Sequence, residues 1–270
     1  MTTPRALRRG ITLAVETARN RETGRVESTM KRTPYNKERL LFRRQFILGS
    51  RFVEGLPSWQ RLEVRPTIRL TVHPDLPVRR LERSGRSVTL LGFVLDPHDP
   101  SATDADVINR LLRDVESNET RRNLLQRTYP LGGRWILIID DGRDPWLFDD
   151  PCGYRQVFYT STTADGVWCA SQPGLLAEVL DFRVDPEALA FIRAYKRREP
   201  EYWWPGDSTL YKEVRHMLPN HYLDLRAGKV QRFWPDHELP TRALEEVVEE
   251  NAKLLKALIE SASHRYELAL

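Results

Sequence analysis

The sequence predicts an α+β fold built from short antiparallel strands with helices set between them. Three observations carry that expectation. First, Trp135-Ile136-Leu137-Ile138-Ile139 is an unbroken apolar run rich in β-branched residues, the pattern of a strand covered on both faces. Second, Asp141-Gly142, Cys152-Gly153 and Asp165-Gly166 recur at intervals of eleven and thirteen residues, each able to supply a positive φ at a turn. Trp146-Leu147-Phe148, Gln156-Val157-Phe158-Tyr159 and Val167-Trp168-Cys169-Ala170 lie around them, so residues 133–180 read as an antiparallel meander closing on a short helix, Leu175 to Leu180. Third, apolar residues recur at helical spacing in 104–115 and 242–263, which predicts two amphipathic helices.

In chain order, residues 1–34 are polar and basic, with Leu7, Ile11, Val15 and Ala18 at helical spacing among Arg5, Arg8, Arg9, Arg19 and Arg21. No aromatic residue interleaves these arginines before Tyr35, so the stretch is expected to be a solvated arm, and no nucleic-acid partner is expected. Gln45 to Gly49 and Arg51 to Val53 read as a first strand interrupted by glycine. Thr67 to Val72 alternates polar and apolar residues, the mark of a half-exposed strand, and Ser87 to Leu95 is a long buried one. Two prolines in Asp96-Pro97-His98-Asp99-Pro100 end its ladder. Thr103 is a natural N-cap for the helix Asp104 to Val115, whose buried face is Val107, Ile108, Leu111, Leu112 and Val115. A short helix follows over Thr120 to Arg127.

Beyond the meander, Pro186 to Arg197 is predicted helical, and Tyr202-Trp203-Trp204-Pro205-Gly206 is an aromatic turn. Asn220 to Leu225 and Val230 to Trp234 are strands joined at Ala227-Gly228-Lys229. Residues 235–241, bounded by prolines, are the expected linker. The long helix after them carries Leu244, Val247, Val248, Leu254, Leu255, Leu258 and Ile259, with Glu245 and Glu246 in its first turn, where the helix dipole favours acid. Tyr266 to Leu270 reads as a strand. A helix followed by a strand normally opens an α/β unit, which residues 242–270 begin without continuing.

Bulk properties restrict the function classes. At 40% hydrophobic and 30% charged residues over 270 positions, the chain has ample material for a core. No apolar run approaches the ~20 residues of a membrane span, so no membrane partner is expected. The N-terminus lacks the apolar core of a secretory signal, and the expected location is the cytoplasm. Net charge is +4, yet residues 1–46 hold twelve Lys/Arg against four Glu, and the remainder is acidic. The basicity belongs to the arm.

No motif marks a catalytic centre: there is no Gly-rich phosphate loop, no G-x-S-x-G and no H-E-x-x-H. His73-Pro74-Asp75 and Asp96-Pro97-His98-Asp99 lack the third patterned ligand that a metal site needs, and no metal is expected. Asp140, Asp141, Asp149 and Asp150 stand in pairs at strand ends beside glycine or proline, where carboxylates cap turns more often than they move protons. Trp203 and Trp204 fit core or interface better than a stacking platform. Cys152 and Cys169 fit neither zinc spacing nor a disulfide framework.

Two segments taken together carry a family resemblance. Asp150-Pro151-Cys152-Gly153-Tyr154-Arg155, Val157-Phe158-Tyr159 and Trp168-Cys169-Ala170-Ser171-Gln172-Pro173 resemble the D-P-x-G-x-x-P-L-Y-Y … F-A-S-E block of asparagine synthetases, within their class II glutamine amidotransferase domain. Tyr211 to Tyr222, with Arg232-Phe233-Trp234 after the hairpin, resembles the family's x-I-x-x-L-P-P-G-H-x … R-Y-W segment. The resemblance implies an αββα four-layer sandwich of N-terminal-nucleophile type over 35–234, a linker at 235–241, and the first helix and strand of a ligase domain over 242–270. It also implies an ATP-pyrophosphatase domain as partner, in cis or in trans, with ATP and magnesium belonging to that domain and no cofactor to this chain. A second copy of the chain is a further candidate partner.

The departures from the family pattern are equally specific. The glutaminase of the family uses a cysteine as first mature residue, its α-amino group serving as base, and neither cysteine here lies near the start. The family's N-G-E-I-Y-N strand end aligns with Leu91-Gly92-Phe93-Val94-Leu95-Asp96, so the oxyanion Asn is replaced by Leu and the Glu by Phe. Asp104, in Thr103-Asp104-Ala105-Asp106, stands where the family binds the glutamine amine. The resemblance therefore implies a vestigial glutamine pocket at Gly92 and Asp104, no catalytic residue, and a silent domain serving an amide ligase as scaffold. The competing expectation is a stand-alone module that reuses the former glutamine cleft for another ligand or partner.

Overall fold

The structure is a computed structural model, and it describes residues 44–160, 164–196 and 204–265. The basic arm, Tyr202, Trp203 and the strand expected at Tyr266 to Leu270 lie outside the described residues. Every described residue belongs to one compact unit, within Lys37–Leu270.

In chain order the elements are β1 (Phe46–Gly49), β2 (Gln60–Arg65), β3 (Ile68–Val72), β4 (Val78–Arg83), β5 (Arg86–Leu95), α1 (Asp104–Glu116) and α2 (Arg121–Thr128). There follow β6 (Gly132–Asp140), β7 (Trp146–Asp149), β8 (Phe158–Thr160), β9 (Cys169–Ala170), α3 (Pro173–Leu180) and α4 (Pro186–Lys196). Last come β10 (Val214–His216), β11 (His221–Asp224), β12 (Lys229–Arg232) and α5 (Leu244–Ser263). The fold is mixed α+β, with two six-stranded antiparallel sheets and five helices among the described residues. Sheet I runs β10-β8-β9-β1-β3-β2 and sheet II runs β12-β11-β7-β6-β5-β4.

Alternation along the strands assigns the side chains to three cores. On one face of sheet II, Leu90, Val94, Trp135, Leu137, Ile139 and Phe148 pack with Val107, Ile108, Leu111 and Leu112 of α1 and Leu124 of α2. On its other face, Leu91, Ile136, Ile138, Leu147 and Leu223 meet Phe46, Leu48, Leu70, Val72 and Cys169 of sheet I. The remaining face of sheet I sets Ile47, Trp168, Ala170 and Val214 against Leu175 and Leu176 of α3. The unbroken apolar run of β6 follows from this: Ile136 and Ile138 face sheet I while Trp135, Leu137 and Ile139 face the helices.

α1 begins where expected, and a full capping box fixes it. Thr103 Oγ1 accepts from the Asp106 N–H at 3.3 Å, and the Asp106 carboxylate accepts from the Thr103 N–H at 2.9 Å. α2 starts behind a Thr120 cap, and α5 begins at Leu244.

Three expectations need correction. The stretch 133–180 is not one meander but two hairpins in different sheets: β6 pairs β7 in sheet II, and β8 pairs β9 in sheet I. The turn between them carries the chain across. Both Asp150 carboxylate oxygens are used there, on the N–H groups of Tyr154 and Arg155, each at 2.9 Å, and Gly153 takes φ 63°. Second, the first strand ends at Gly49 and does not resume at Arg51. Third, β2 and β4 were not anticipated. Both lie at sheet edges, where exposed arginine and glutamate on the strand deter pairing with another chain.

Candidate functional site

The two residues expected to line a glutamine pocket are placed at the same end of β5. β5 and β6 pair without interruption from Ser87↔Asp140 to Leu95↔Gly132, which sets Gly92 opposite Trp135. Gly92 takes φ +99°, and a Cβ there would lie 2.1 Å from the Arg134 carbonyl oxygen and 3.1 Å from Arg155 Nε. Only glycine fits. The space that a side chain would take is filled by the neighbouring strand and by Arg155.

Arg155 is a site residue that sequence reasoning passed over. It is 5% exposed, and its guanidinium donates to the carbonyl oxygens of Arg134 at 3.4 Å and Arg44 at 3.1 Å. Burial is the main cause that lowers its pKa, to about 10; the charges of Arg134 and Arg44 lower it further, and Asp150 opposes them. Within the described residues no carboxylate forms an ion pair with it. Its only sequence signal was membership of the Asp150–Arg155 turn.

Asp104, the first residue of α1, is fully engaged. Its Oδ1 accepts from the Val94 N–H at 3.0 Å and from Arg265 Nη1 at 2.6 Å, and Arg79 Nε lies 3.7 Å from Oδ2. Arg265 also donates to the Val94 carbonyl at 2.6 Å and to the Ala102 carbonyl. The side chains of Asp104 and Arg265 are each 14% exposed. A carboxylate and two carbonyls thus converge on one point, an arrangement that receives a cationic donor. The donor here is the chain's own Arg265, two residues past α5. Nothing in the sequence singles Arg265 out, because the contact spans 161 positions.

The other candidates separate cleanly. Asp140 accepts from the Gly142 N–H at 2.8 Å and pairs with Arg65; Asp141 accepts from the Arg143 N–H at 2.8 Å. With Asp150, these are turn-capping carboxylates. Asp149 breaks the pattern: it is 3% exposed and both its oxygens lack a hydrogen-bond partner. Burial and then the charge of Asp150 hold its pKa well above the usual carboxylate range, opposed only by the approach of its own backbone N–H, which falls short of a hydrogen bond by geometry.

His73 Nδ1 accepts from the Asp75 N–H at 3.0 Å and its ring meets Trp59 edge-on; Asp96 accepts from the His98 N–H and pairs with Arg110. Among the described residues no group of three or more His, Cys, Asp or Glu is placed to hold a metal ion. Trp204 stacks on Phe191 at 6.1 Å. Cys152 is exposed, and Cys169 is a buried free thiol whose pKa burial pushes up. No described helix is long and apolar enough to cross a membrane.

No protein-family model matches this chain, and no curated protein matches it. Among solved structures it is similar to the glutamine phosphoribosylpyrophosphate amidotransferase of B. subtilis, solved with ADP and GMP, at 11% identity and a TM-score of 0.35. That likeness covers 72% of this chain and 44% of the other, so the chain spans less than half of that protein's length. At this level it carries no argument about chemistry.

Proposed function

We propose that the chain is a catalytically silent amidotransferase-like domain, an αββα four-layer sandwich, that serves as scaffold to the synthetase half of an asparagine-synthetase-like amide ligase. The observation that carries the silence is the pairing of Asp104 with Arg265. The carboxylate that the sequence resemblance assigns to a substrate amine is occupied by a guanidinium bonded also to Val94 and Ala102. A free amino acid would have to displace a donor tethered in the same chain, whose effective concentration is high.

Two further observations support the reading. Neither Phe46, the first residue of β1, nor Gln45 just before it carries a nucleophile. Cys169 sits sealed on β9, with burial disfavouring its thiolate, the form that attacks. The three stacked cores suit the four-layer reading, with helices outside two facing sheets.

The purified chain incubated with glutamine is expected to release no ammonia above a heat-killed control. Ammonia release that requires the intact fold overturns the silence. The ligase assignment is checked separately: an S-G-G-x-D-S loop encoded in frame with, or beside, this sequence supports it, and the lack of any such frame overturns it.

A further inference from the structure

α5 carries two apolar stripes, and the body of the protein covers one of them. Val247, Leu254 and Leu258 are half-buried and share an arc with buried Ser261, and Leu258 packs on Gly132. The second stripe is bare: Leu244, Val248, Leu255 and Ile259 are 71%, 57%, 59% and 50% exposed. At 3.6 residues per turn these four fall within an arc of about 60°, beside the covered one. They extend about 22 Å along the helix at 1.5 Å per residue. Soluble monomers seldom leave so many large apolar side chains side by side in water.

The bare stripe is symmetric about its own midpoint, between Asn251 and Ala252. Leu244 and Ile259 stand equally far from that point, and so do Val248 and Leu255. The charges beside the stripe share the same midpoint. Helical period places Glu245, Glu249 and Lys256 together on the flank away from the body, and reflection sets Lys256 level with residue 247, midway between the two glutamates. Among the described residues Glu245 and Lys256 form no ion pair, and Glu249 holds Lys253 of its own helix at 2.6 Å with both side chains exposed. A surface that meets a different protein need not mirror itself. A two-fold contact between identical copies must, because residue i meets j while j meets i.

We propose that α5 pairs with α5 of a second copy of this chain, antiparallel, across a two-fold axis that passes between Asn251 and Ala252. Leu244 of each copy then lies beside Ile259 of the other, Val248 beside Leu255, and Lys256 reaches between Glu245 and Glu249 of the facing helix. A parallel pairing would set Glu245 and Glu249 against their own counterparts, and charges that flank an apolar seam fix the orientation of paired helices. Four apolar residues a side make a small interface, so the association is weak, with a Kd of about 10–100 μM. At about 1 μM the chain is therefore single. The inference does not rest on the ligase reading.

Sedimentation velocity of the full chain from about 1 to 300 μM is expected to show a reversible monomer–dimer equilibrium. Leu255→Glu, at an exposed position, should leave the fold intact and weaken the dimer at least about tenfold. Lys256→Glu should weaken it as well, and adding Glu245→Lys and Glu249→Lys to that variant should restore it. Orientation is read by oxidative cross-linking in chains that also carry Cys152→Ser. Val248→Cys mixed with Leu255→Cys should form a disulfide, whereas either variant alone should not, because each position lies about 10 Å along the helix from its own counterpart, beyond disulfide reach. A chain that stays monomeric to about 300 μM leaves the stripe to a different protein or a further domain and overturns the proposal. So does a dimer indifferent to Leu255→Glu, a triple charge swap that restores nothing, or Val248→Cys chains that cross-link alone as readily as in the mixture.

Discussion

Buried Asp149 and half-buried His216 are two ionisable side chains that desolvation pushes toward their neutral forms, and they respond to pH in opposite senses. Asp149 prefers to keep its proton, so it disfavours the fold progressively as pH rises above the ordinary carboxylate range. His216, on β10, lies against the Phe158 ring at 4.7 Å, and its pKa is lowered by burial, with Asp207 opposing. Below about pH 6.5 the unfolded chain takes up a proton that the folded chain resists, so stability drains away as pH falls through that value. His216→Phe retains a ring on Phe158 and removes the titration. The urea midpoint of the variant minus that of the natural chain should therefore be larger at about pH 5.5 than at about pH 7.5, as only the natural chain weakens. A gap that does not move with pH contradicts this account.

Among the elements, β1 shows how closely the layers approach. A Cβ on Gly49 would lie 2.1 Å from the Trp168 ring, which is fully buried and is covered on its outer side by the guanidinium of Arg51 at 5.1 Å. Neither strand nor ring has room to retreat, since Ile47 and Ala170 share the same core. Gly49→Ala is expected to cost about 1–3 kcal/mol, the range of overpacked cores, measured by chemical denaturation. Loss below about 0.5 kcal/mol would mean that Trp168 has an alternative rotamer. The edge strands follow a different logic. β2 and β4 carry arginine and glutamate because each lies at the open edge of its sheet, and that composition also hid them from a search for apolar runs.

At the scale of the whole molecule, legibility in the sequence tracked how local each cause was. β6 and α1 were readable because both faces of the one and the cap of the other are written in consecutive residues. The assignment of β8 and β9 to a second sheet was not, because period-two alternation says nothing about which strand lies alongside. The same division holds at the site. Asp104 could be found from its place in a motif, whereas its occupant Arg265 could not, because only the fold brings α5 to the end of β5. Asp149 looked like its three turn-capping neighbours in sequence, and only burial without a partner sets it apart.

α5 is held very unevenly along its length. Near its C-terminal end, Leu258 packs so closely on Gly132 that a Cβ there would lie 2.7 Å away, Ser261 is buried, and Arg265 is bonded to three acceptors. Toward its start, Leu244 and Val248 are 71% and 57% exposed. The helix is thus a lever clamped at one end, and its backbone amides should record this as a gradient. Deuterium uptake is expected to be fast near residues 248–252 and slow near 260–263, and Arg265→Ala should erase the slow end while leaving β6 protected. Uniform uptake along α5 in the natural chain would mean that Arg265 holds no clamp. If the gradient is there, one guanidinium both pairs with Asp104 and fixes the point about which the helix can swing.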